Sequence, residues 1–315
     1  MRVFVAGGSG TIGRRLVPQL LARGHRVTAT TSTPANLGVI ERMGAHGVVM
    51  DGLDAASVGQ AVASARPDAI VHEMTALSIV HSGRPDFRHP ERWATTTNRL
   101  RTEGTDHLLA AAEATGVPHV VAQSVATWFA HPERGLITEE EPLPAEDLVP
   151  KMRDIAARGL RHVEDVVVRA GGAALRYGAL YGPGATDDEI KLVRKRFFPL
   201  IGDGSGIFSW VHLDDAASAT VLAVEQRATG VFNIVDDEPA LISEWLPYLA
   251  ESAGAKRPAR LPVWLVRLLA GEIMVKMMTE GRGFSNAKAK RELGWELRYP
   301  SWREGFKAEL ADFAA

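Results

Sequence analysis

The first thirteen residues place the tightest constraint on how this chain folds. Arg2 to Ala6 form a short β-branched and aromatic run, which is typical of a buried strand. Glycines follow, and an apolar 3.6-residue pattern that predicts a helix continues after Gly13. Such a turn leaves unpaired N–H groups at the positive end of the helix, which suits a pyrophosphate. Gly7 permits the tight turn, Gly10 lets the backbone approach the phosphate, and Gly13 lets helix and strand pack closely. The opening therefore favours a dinucleotide site over a plain strand-to-helix turn.

The end of the second predicted strand indicates which dinucleotide is bound. An NAD site normally carries Asp or Glu there, about 20 residues after the first glycine, to hold the ribose 2′-hydroxyl. This chain carries Thr30 to Thr33 instead, with Thr31 and Ser32 as expected contacts. Because no carboxylate excludes a 2′-phosphate, we expect NADP(H) in preference to NAD(H), with Arg14 or Arg15 as the countercharge. A solvated helix face is the alternative role for these arginines.

Other cofactor contacts are expected where the next strands end. Asp51 is expected to accept a hydrogen bond from the adenine amine, and residues 73–76 are expected to cross the cofactor at the carboxyl end of the fourth strand. His72, at the end of that strand, is assigned a structural role. From these patterns the expected dinucleotide contacts are Gly7, Ser9, Gly10, Thr11, Ile12, Gly13, Arg14, Thr31, Ser32, Asp51, Gly52, Met74 and Thr75.

Strands alternate with helices as far as residue 177, which predicts a doubly wound parallel α/β sheet of the Rossmann type. Residues 1–180 are expected to form this dinucleotide-binding core, with a return segment near 207–236. Residues 181–315 are expected to form mainly a smaller substrate-binding lobe. A basic helix at 191–196 is usually a solvated face, although it is also the one candidate site for an anionic substrate in this lobe.

Composition excludes several other classes of protein. Thirty-six Lys and Arg against 38 Asp and Glu give a net charge of −2, so we expect no nucleic-acid and no membrane partner. The sequence has no cysteine, which excludes a thiolate nucleophile and thiolate metal sites, and we expect no metal. The first strand leaves no room for a signal peptide, so we expect a cytoplasmic protein. Its partner is expected to be a small-molecule substrate, and a homodimer is possible.

Several segments carry a family resemblance when they are taken together in order. They are AGGSGTIG at 6–13, Asn98 with Gly104 and Thr105, LRYGALYGPG at 175–184, WVHLDDAA at 210–217, FNI at 232–234 and SNAKAKRELGW at 285–295. These segments resemble the extended short-chain dehydrogenase/reductases, a family of nucleotide-sugar epimerases, dehydratases and related carbonyl reductases. The resemblance covers nearly the whole chain and implies that Asn98 also contacts the dinucleotide.

One departure from that family concerns catalysis. The family uses a Tyr and a Lys in a YxxxK motif, where the Tyr transfers the proton and the Lys lowers its pKa. Here no tyrosine precedes Tyr177. If Glu164 matches the Glu that follows the family's Lys by four residues, the Tyr position falls on Ala156 and the Lys position on Leu160. The chain therefore resembles an atypical member without this motif.

The resemblance places the family's catalytic Ser or Thr on Val125 or, one residue earlier, on Ser124. We name Ser124 and Thr127 as candidate catalytic residues, because both hydroxyls are suited to hydrogen-bond a carbonyl oxygen; satisfying backbone groups is the alternative. Tyr177 is expected to reach the nicotinamide or the substrate. Core packing is the alternative for most of the residues proposed to line a substrate pocket, which are Trp128, Ala156, Tyr181, Phe197 and Trp210.

These observations lead to one main functional hypothesis. Hydride transfer needs a correctly positioned cofactor and carbonyl group. Loss of the tyrosine that acts as the general acid lowers the rate by roughly 10²–10⁴-fold. We therefore expect an NADPH-dependent ketoreductase for an aromatic or polycyclic ketone whose own phenol or enol delivers the proton. The resemblance supports this, since certain polyketide ketoreductases that lack the Tyr are thought to work in this way. The alternatives are a nucleotide-sugar epimerase or dehydratase, and a non-catalytic NADP(H)-binding sensor.

Overall fold

A seven-stranded parallel sheet forms the centre of the molecule. The computed structural model describes residues 1–77, 90–126, 135–141 and 158–313. The sheet has the order β11-β6-β5-β4-β1-β2-β3, so the predicted doubly wound Rossmann-type fold is confirmed. Its strands are β1 (Arg2–Ala6), β2 (Arg26–Thr31), β3 (His46–Val49), β4 (Ala69–His72), β5 (Val120–Val125), β6 (Ala173–Tyr177) and β11 (Gly230–Ile234).

Helices cover both faces of this sheet, as parallel strands require. A short 3₁₀ turn at Pro34–Asn36 precedes the second helix. The helices of the described part are α1 (Gly13–Ala22), α2 (Leu37–Arg42), α3 (Ala55–Ala65), α4 (Pro90–Arg101), α5 (Glu103–Thr115), α6 (Arg158–Arg169), α7 (Asp187–Arg194), α8 (Leu213–Glu225), α9 (Ile242–Ser252), α10 (Val263–Ala270), α11 (Glu272–Thr279), α12 (Ala287–Leu293) and α13 (Trp302–Phe313). No helix in the described ranges combines the length and apolar character needed to span a bilayer.

Strand alternation sends side chains to two separate apolar layers. On one face, Val71 and Leu175 join the layer that includes α1 and α8, whereas Ile70 and Val120 pack with α3 and α5 on the other. Successive strand residues point to opposite faces, so the residues that end each strand are divided between these layers. This division decides which side chains meet at the site described below.

The strand order reverses direction between β1 and β4. From β1 the chain proceeds outward to β2 and β3, then returns to the other side of β1 for β4, β5 and β6. In open α/β sheets a crevice forms outside the carboxyl ends of the strands at such a point, and ligands bind there. The glycine turn after β1 and the residues that follow β4 border this crevice.

Short strand pairs and helices form the remaining lobe. The pairs lie outside the main sheet: β7 (Ala179–Tyr181) with β10 (Trp210–His212), β8 (Leu200–Ile201) with β13 (Arg260–Leu261), and β9 (Ile207–Phe208) with β12 (Ala240–Leu241). A separate apolar cluster rich in aromatic residues, including Trp245 and Trp302, fills this lobe.

Candidate functional site

The turn after β1 is shaped so that only glycine fits at two of its positions. Gly7 has φ +92°, and a Cβ there would lie 2.8 Å from the carbonyl oxygen of Glu73. A Cβ on Gly13 would lie 2.5 Å from the carbonyl oxygen of Gly8. A side chain at either position would collide with backbone atoms, which cannot shift without a large cost in free energy. The turn holds β1, α1 and the residue after β4 in close contact.

Gly10 faces a different environment, which fits an anion. A Cβ there would approach only the Gly7 carbonyl oxygen, at 3.1 Å, and otherwise enters open space. The backbone N–H groups of Thr11 and Ile12 donate to no acceptor in the part of the chain that the structure describes. Open space in front of unpaired N–H groups at the start of a ten-residue helix fits the diphosphate of a dinucleotide.

Two arginines at the start of α1 have different partners. Arg15 is engaged elsewhere, since its Nη2 donates to the Pro183 carbonyl at 3.3 Å and its Nε lies 3.8 Å from Asp214 Oδ1. Arg14 is exposed, and its Nε donates to the Ser9 carbonyl at 2.9 Å. Its Nη groups have no acceptor among the described residues, so Arg14 is the better placed of the two to meet an added phosphate.

The remaining expected cofactor contacts lie on neighbouring strand ends. The Thr31 hydroxyl is bonded within its own turn, to the backbone of Thr33, while Ser32 is exposed. Gly52 lies against Met74, because a Cβ on Gly52 would be 2.5 Å from Met74 Sδ. The Asp51 carboxylate accepts from the Leu53 N–H, and Thr75 is half-buried. The side-chain oxygen of Asn98 is buried against Gly159 and has no hydrogen-bond partner in the described ranges.

Glu73 is the first of the residues expected to cross the cofactor after β4, and its side chain has hydrogen bonds that the sequence patterns do not predict. The hydroxyl of Tyr177 donates to Glu73 Oε1 at 2.8 Å and lies 2.6 Å from the Thr220 hydroxyl on α8. The second carboxyl oxygen, Oε2, is buried and has no hydrogen-bond partner among the described residues. Burial raises the pKa of Glu73 to about 8, and the hydrogen bond from Tyr177 opposes this rise. The Tyr177 hydroxyl is thus buried in bonds to Glu73 and Thr220, which corrects the expectation that Tyr177 reaches the nicotinamide or the substrate.

Comparison with known proteins decides the family. Residues 3–235 match the model of the NAD dependent epimerase/dehydratase family. The chain belongs to that family. A 3-diazoavenalumate denitrifying reductase from Streptomyces sp is 41% identical over 98% of this chain and 100% of its own length. A 2-alkyl-3-oxoalkanoate reductase from Stenotrophomonas maltophilia is 27% identical, over 96% of this chain and 91% of its own length. The prediction of an NAD(P)-dependent oxidoreductase is confirmed at this level of detail.

A solved structure shows the same fold. The human epimerase family protein SDR39U1, crystallised with NADPH, superposes with a TM-score of 0.75 at 21% identity. The superposition covers 99% of this chain and 100% of the human one. The matched family is NAD dependent, and the human protein was crystallised with NADPH.

The predicted catalytic Ser124 lies on the face of β5 opposite Glu73. Its hydroxyl is fully buried and donates to Glu164 Oε1 at 2.6 Å. Glu164 also accepts two hydrogen bonds from the Arg176 guanidinium, each 2.8 Å long. This placement corrects the catalytic assignment, because the Ser124 hydroxyl completes a buried ion pair between α6, β5 and β6. Thr127, the other candidate, lies outside the described residues.

On α6, the residue at the family's Lys position is apolar and enclosed. The Leu160 side chain is 2% exposed. Leu160 therefore provides no ammonium group to lower the pKa of a catalytic tyrosine, the role that the resemblance assigns to that Lys. Ala156, at the matching Tyr position, lies outside the described residues.

The aromatic residues expected to line a substrate pocket do not lie together on one surface. Tyr181 is fully buried, and its ring contacts Trp210, His212 and Phe306 with centroids 5.0–6.1 Å apart. Trp210 is 5% exposed and packs within the same lobe core, whereas Phe197 is 72% exposed on the surface. These placements correct the expected roles, because Tyr181 and Trp210 are core residues. Trp128 lies outside the described residues.

Two of the four basic residues at 191–196, the candidate anion site of the lobe, are bonded to neighbouring groups. The first turn of α7 carries Asp187, Asp188 and Glu189. Lys191 pairs with Asp188 at 2.9 Å, and Arg194 donates to the Ala253 carbonyl at 3.2 Å. These contacts engage Lys191 and Arg194 at the surface, whereas Lys195 and Arg196 follow the helix and are exposed, so the anion site stays a prediction.

Proposed function

We propose that the chain is an NADP(H)-dependent reductase that relies on its substrate, rather than on a tyrosine, for the accompanying proton. One observation carries this proposal: the phosphate turn is complete, whereas the chain has no tyrosine before Tyr177 and a buried Leu160 at the Lys position. A bound nicotinamide dinucleotide supplies the hydride. The described residues position it, through the turn after β1 and the residues that follow β4.

The first candidate substrate class is a diazo-bearing carboxylate. It is favoured by the 41% identical relative, which is named as a denitrifying reductase of 3-diazoavenalumate. Hydride addition to the terminal nitrogen of a diazonium group forms an N–H bond and a neutral diazene. The diazene then loses its N–H proton, the C–N bond breaks to release dinitrogen, and the resulting carbanion takes up one proton, which replaces the one that was lost. Since RN₂⁺ and H⁻ together give RH and N₂, the enzyme need not consume an acid.

The second candidate is a ketone with its own acidic hydroxyl. The relative named 2-alkyl-3-oxoalkanoate reductase supports this class. An aromatic or polycyclic ketone also fits the missing tyrosine, because its own phenol or enol delivers the proton. There the hydride forms a C–H bond at the carbonyl carbon, and the substrate's phenol or enol protonates the alkoxide. Epimerisation and a purely sensory role are less well supported, because both relatives are named as reductases.

Preference for NADP(H) over NAD(H) belongs to the same proposal. It is supported by hydroxyl residues in place of an acid at the end of β2 and by the exposed Arg14 guanidinium beside the phosphate turn. An arginine fork matches the geometry of phosphate oxygens.

A turnover assay tests the proposal and separates its two substrates. The purified protein is mixed with NADPH or NADH and with either an arenediazonium carboxylate or a β-hydroxyaryl ketone. We expect NADPH oxidation, faster than NADH oxidation, with one dinitrogen released per NADPH from the diazonium substrate. Alcohol formation from the ketone without turnover of the diazonium compound would instead favour the second candidate. Binding of NADPH without oxidation by any substrate of either class would contradict the proposal.

A further inference from the structure

Arg101 is a buried cation without a counterion in the part of the chain that the structure describes. It is the last residue of α4, and it is 6% exposed. Its Nε is buried and donates to no acceptor, and no hydrogen bond or ion pair engages its guanidinium among the described residues. Burial lowers the pKa of Arg101 to about 10, so the group stays charged at neutral pH. A buried charge of this kind is costly unless a ligand supplies the missing anion.

The polar neighbours of Arg101 do not provide that anion. The two ring nitrogens of His72 are bonded to the Leu100 carbonyl and to the Met74 N–H. Burial, and to a smaller extent the charge of Arg101, lower the pKa of His72 to about 4, so this ring is neutral at pH 7. The side-chain oxygen of Asn98, one turn earlier on α4, accepts no hydrogen bond from Arg101.

The Arg101 side chain lies outside the carboxyl end of β5. Its Cβ and Cδ are each 3.5 Å from the place of a Cβ on Gly159, at the start of α6. Helix α6 runs antiparallel to β5, since Glu164 accepts from Ser124 near the end of that strand and Gly172, after the helix, packs against its beginning. Gly159 precedes Glu164 by five residues, about 7.5 Å of helix, and therefore lies further outward than the end of β5.

Helix geometry directs the guanidinium toward the ligand side of the sheet. Long side chains on a helix lean back over the turn that precedes them. For Arg101 that turn includes Thr97, whose hydroxyl accepts from the Ala76 N–H at 3.0 Å. Ala76 ends the segment 73–76, which is expected to cross the cofactor after β4. The guanidinium is therefore directed toward the space outside the ends of β4 and β5.

We propose that Arg101 binds the carboxylate of the substrate. This inference rests on the proposed function and names the residue that holds the anionic group of its first substrate class. A guanidinium presents paired N–H donors that match the two oxygens of a carboxylate, and the contact neutralises the buried charge. Because Gly159 immediately precedes Leu160, Arg101 brings a positive charge close to the helix position where the family carries its Lys.

Steady-state kinetics with NADPH and an arenediazonium carboxylate or its methyl ester test this inference. The ester keeps the ring and the diazonium group but has no anionic oxygen. We expect Arg101→Met to raise KM for the carboxylate by about a hundredfold, because a buried, charged contact is lost, while kcat stays within about threefold. KM for the ester should differ by less than about twofold between the two proteins. Arg101→Lys keeps the charge without the paired donors, so it should recover about tenfold of the loss.

Arg99→Met is the matched control. Arg99 lies on the same helix, but its guanidinium pairs with Glu103 at 2.7 Å on the surface. This variant should keep the wild-type KM, since an exposed pair of this kind contributes little. Melting temperature separates a binding role from a structural one. Arg101→Met removes an unpaired buried charge and should melt at the wild-type temperature or above it. A lower melting temperature with unchanged KM would make Arg101 a structural residue and overturn the inference.

Calorimetry with the diazonium-free arene carboxylate, in the presence of NADP⁺, measures the same contact without turnover. We expect wild type and Arg99→Met to bind this probe about a hundredfold more tightly than Arg101→Met does. Equal KM and equal dissociation constants in wild type and Arg101→Met would overturn the role of Arg101 and leave the proposed function intact. Absence of NADPH oxidation by the carboxylate and by the ester would contradict the proposed function instead, and the calorimetric comparison would still decide the contact of Arg101 with a carboxylate.

Discussion

At the scale of single residues, two buried carboxyl groups on opposite faces of the sheet show how partners decide a group's role. Glu164 accepts from the Arg176 guanidinium and from the Ser124 hydroxyl, so its charge is compensated within the protein. Among the described residues, the Glu73 carboxyl group accepts only from the Tyr177 hydroxyl, and its other oxygen has no partner. The first carboxyl group fixes β5, β6 and α6 together, whereas the second has hydrogen-bonding capacity left for a ligand.

Ser124→Ala tests whether this hydroxyl is structural. The substitution removes one hydrogen bond to Glu164 and leaves the bidentate contact with Arg176 in place. We expect the free energy of unfolding to fall by about 1–2 kcal/mol and turnover to stay within about threefold of wild type. Urea denaturation and steady-state kinetics measure the two effects. A drop in kcat of about a hundredfold without loss of stability would restore Ser124 as a catalytic residue.

The sequence predicts the glycine positions well because their constraints are steric and local. It does not reveal the side to which Ser124 points, because a shift of one residue along β5 exchanges the two faces of the sheet. Glu73 follows a predicted strand, yet its role depends on Tyr177, which is 104 positions further along the chain. Tyr181 is enclosed because Gly305, near the other end of the chain, leaves room for its ring. Such long-range contacts leave no local pattern.

At the scale of elements, the turn between β1 and α1 serves two purposes through different glycines. Gly7 and Gly13 allow backbone segments to touch, while Gly10 keeps open the space in front of the helix. Helix α7 differs from this turn, because several of its charged residues have partners within the protein. Its basic residues suggested an anion site, but Lys191 pairs with Asp188 of the acidic first turn and Arg194 donates to a backbone carbonyl.

Gly10→Val should block dinucleotide binding with little effect on the fold. Its side chain would enter the space reserved for the diphosphate, with one close backbone contact at 3.1 Å. We expect NADPH affinity to fall by at least about a hundredfold, roughly 2.7 kcal/mol, by calorimetry, with a similar melting temperature. Gly59→Val on α3, where a Cβ meets nothing within 4 Å, is the matched control and should bind normally. Undiminished NADPH affinity in Gly10→Val would refute the placement of the diphosphate.

At the scale of the whole molecule, the strand order brings the phosphate turn and the residue after β4 to one crevice. The sequence predicts this core, because the spacing of apolar residues differs between its strands and its helices and alternates along the chain. The lobe is harder to predict, since its two-residue and three-residue strands pair with partners far along the chain, such as β8 with β13. The expected homodimer stays a prediction.

Single-turnover kinetics with deuterated NADPH test the central claim most directly. That claim is that a dinucleotide in this cradle gives its hydride to the substrate without a tyrosine acid. NADPH carrying deuterium on one or the other face of nicotinamide C4 is mixed with excess enzyme and the diazonium or ketone substrate. We expect slower substrate reduction with one of the two deuterated forms and an unchanged rate with the other. Equal rates with both forms, in a reaction limited by its chemical step, would contradict the account.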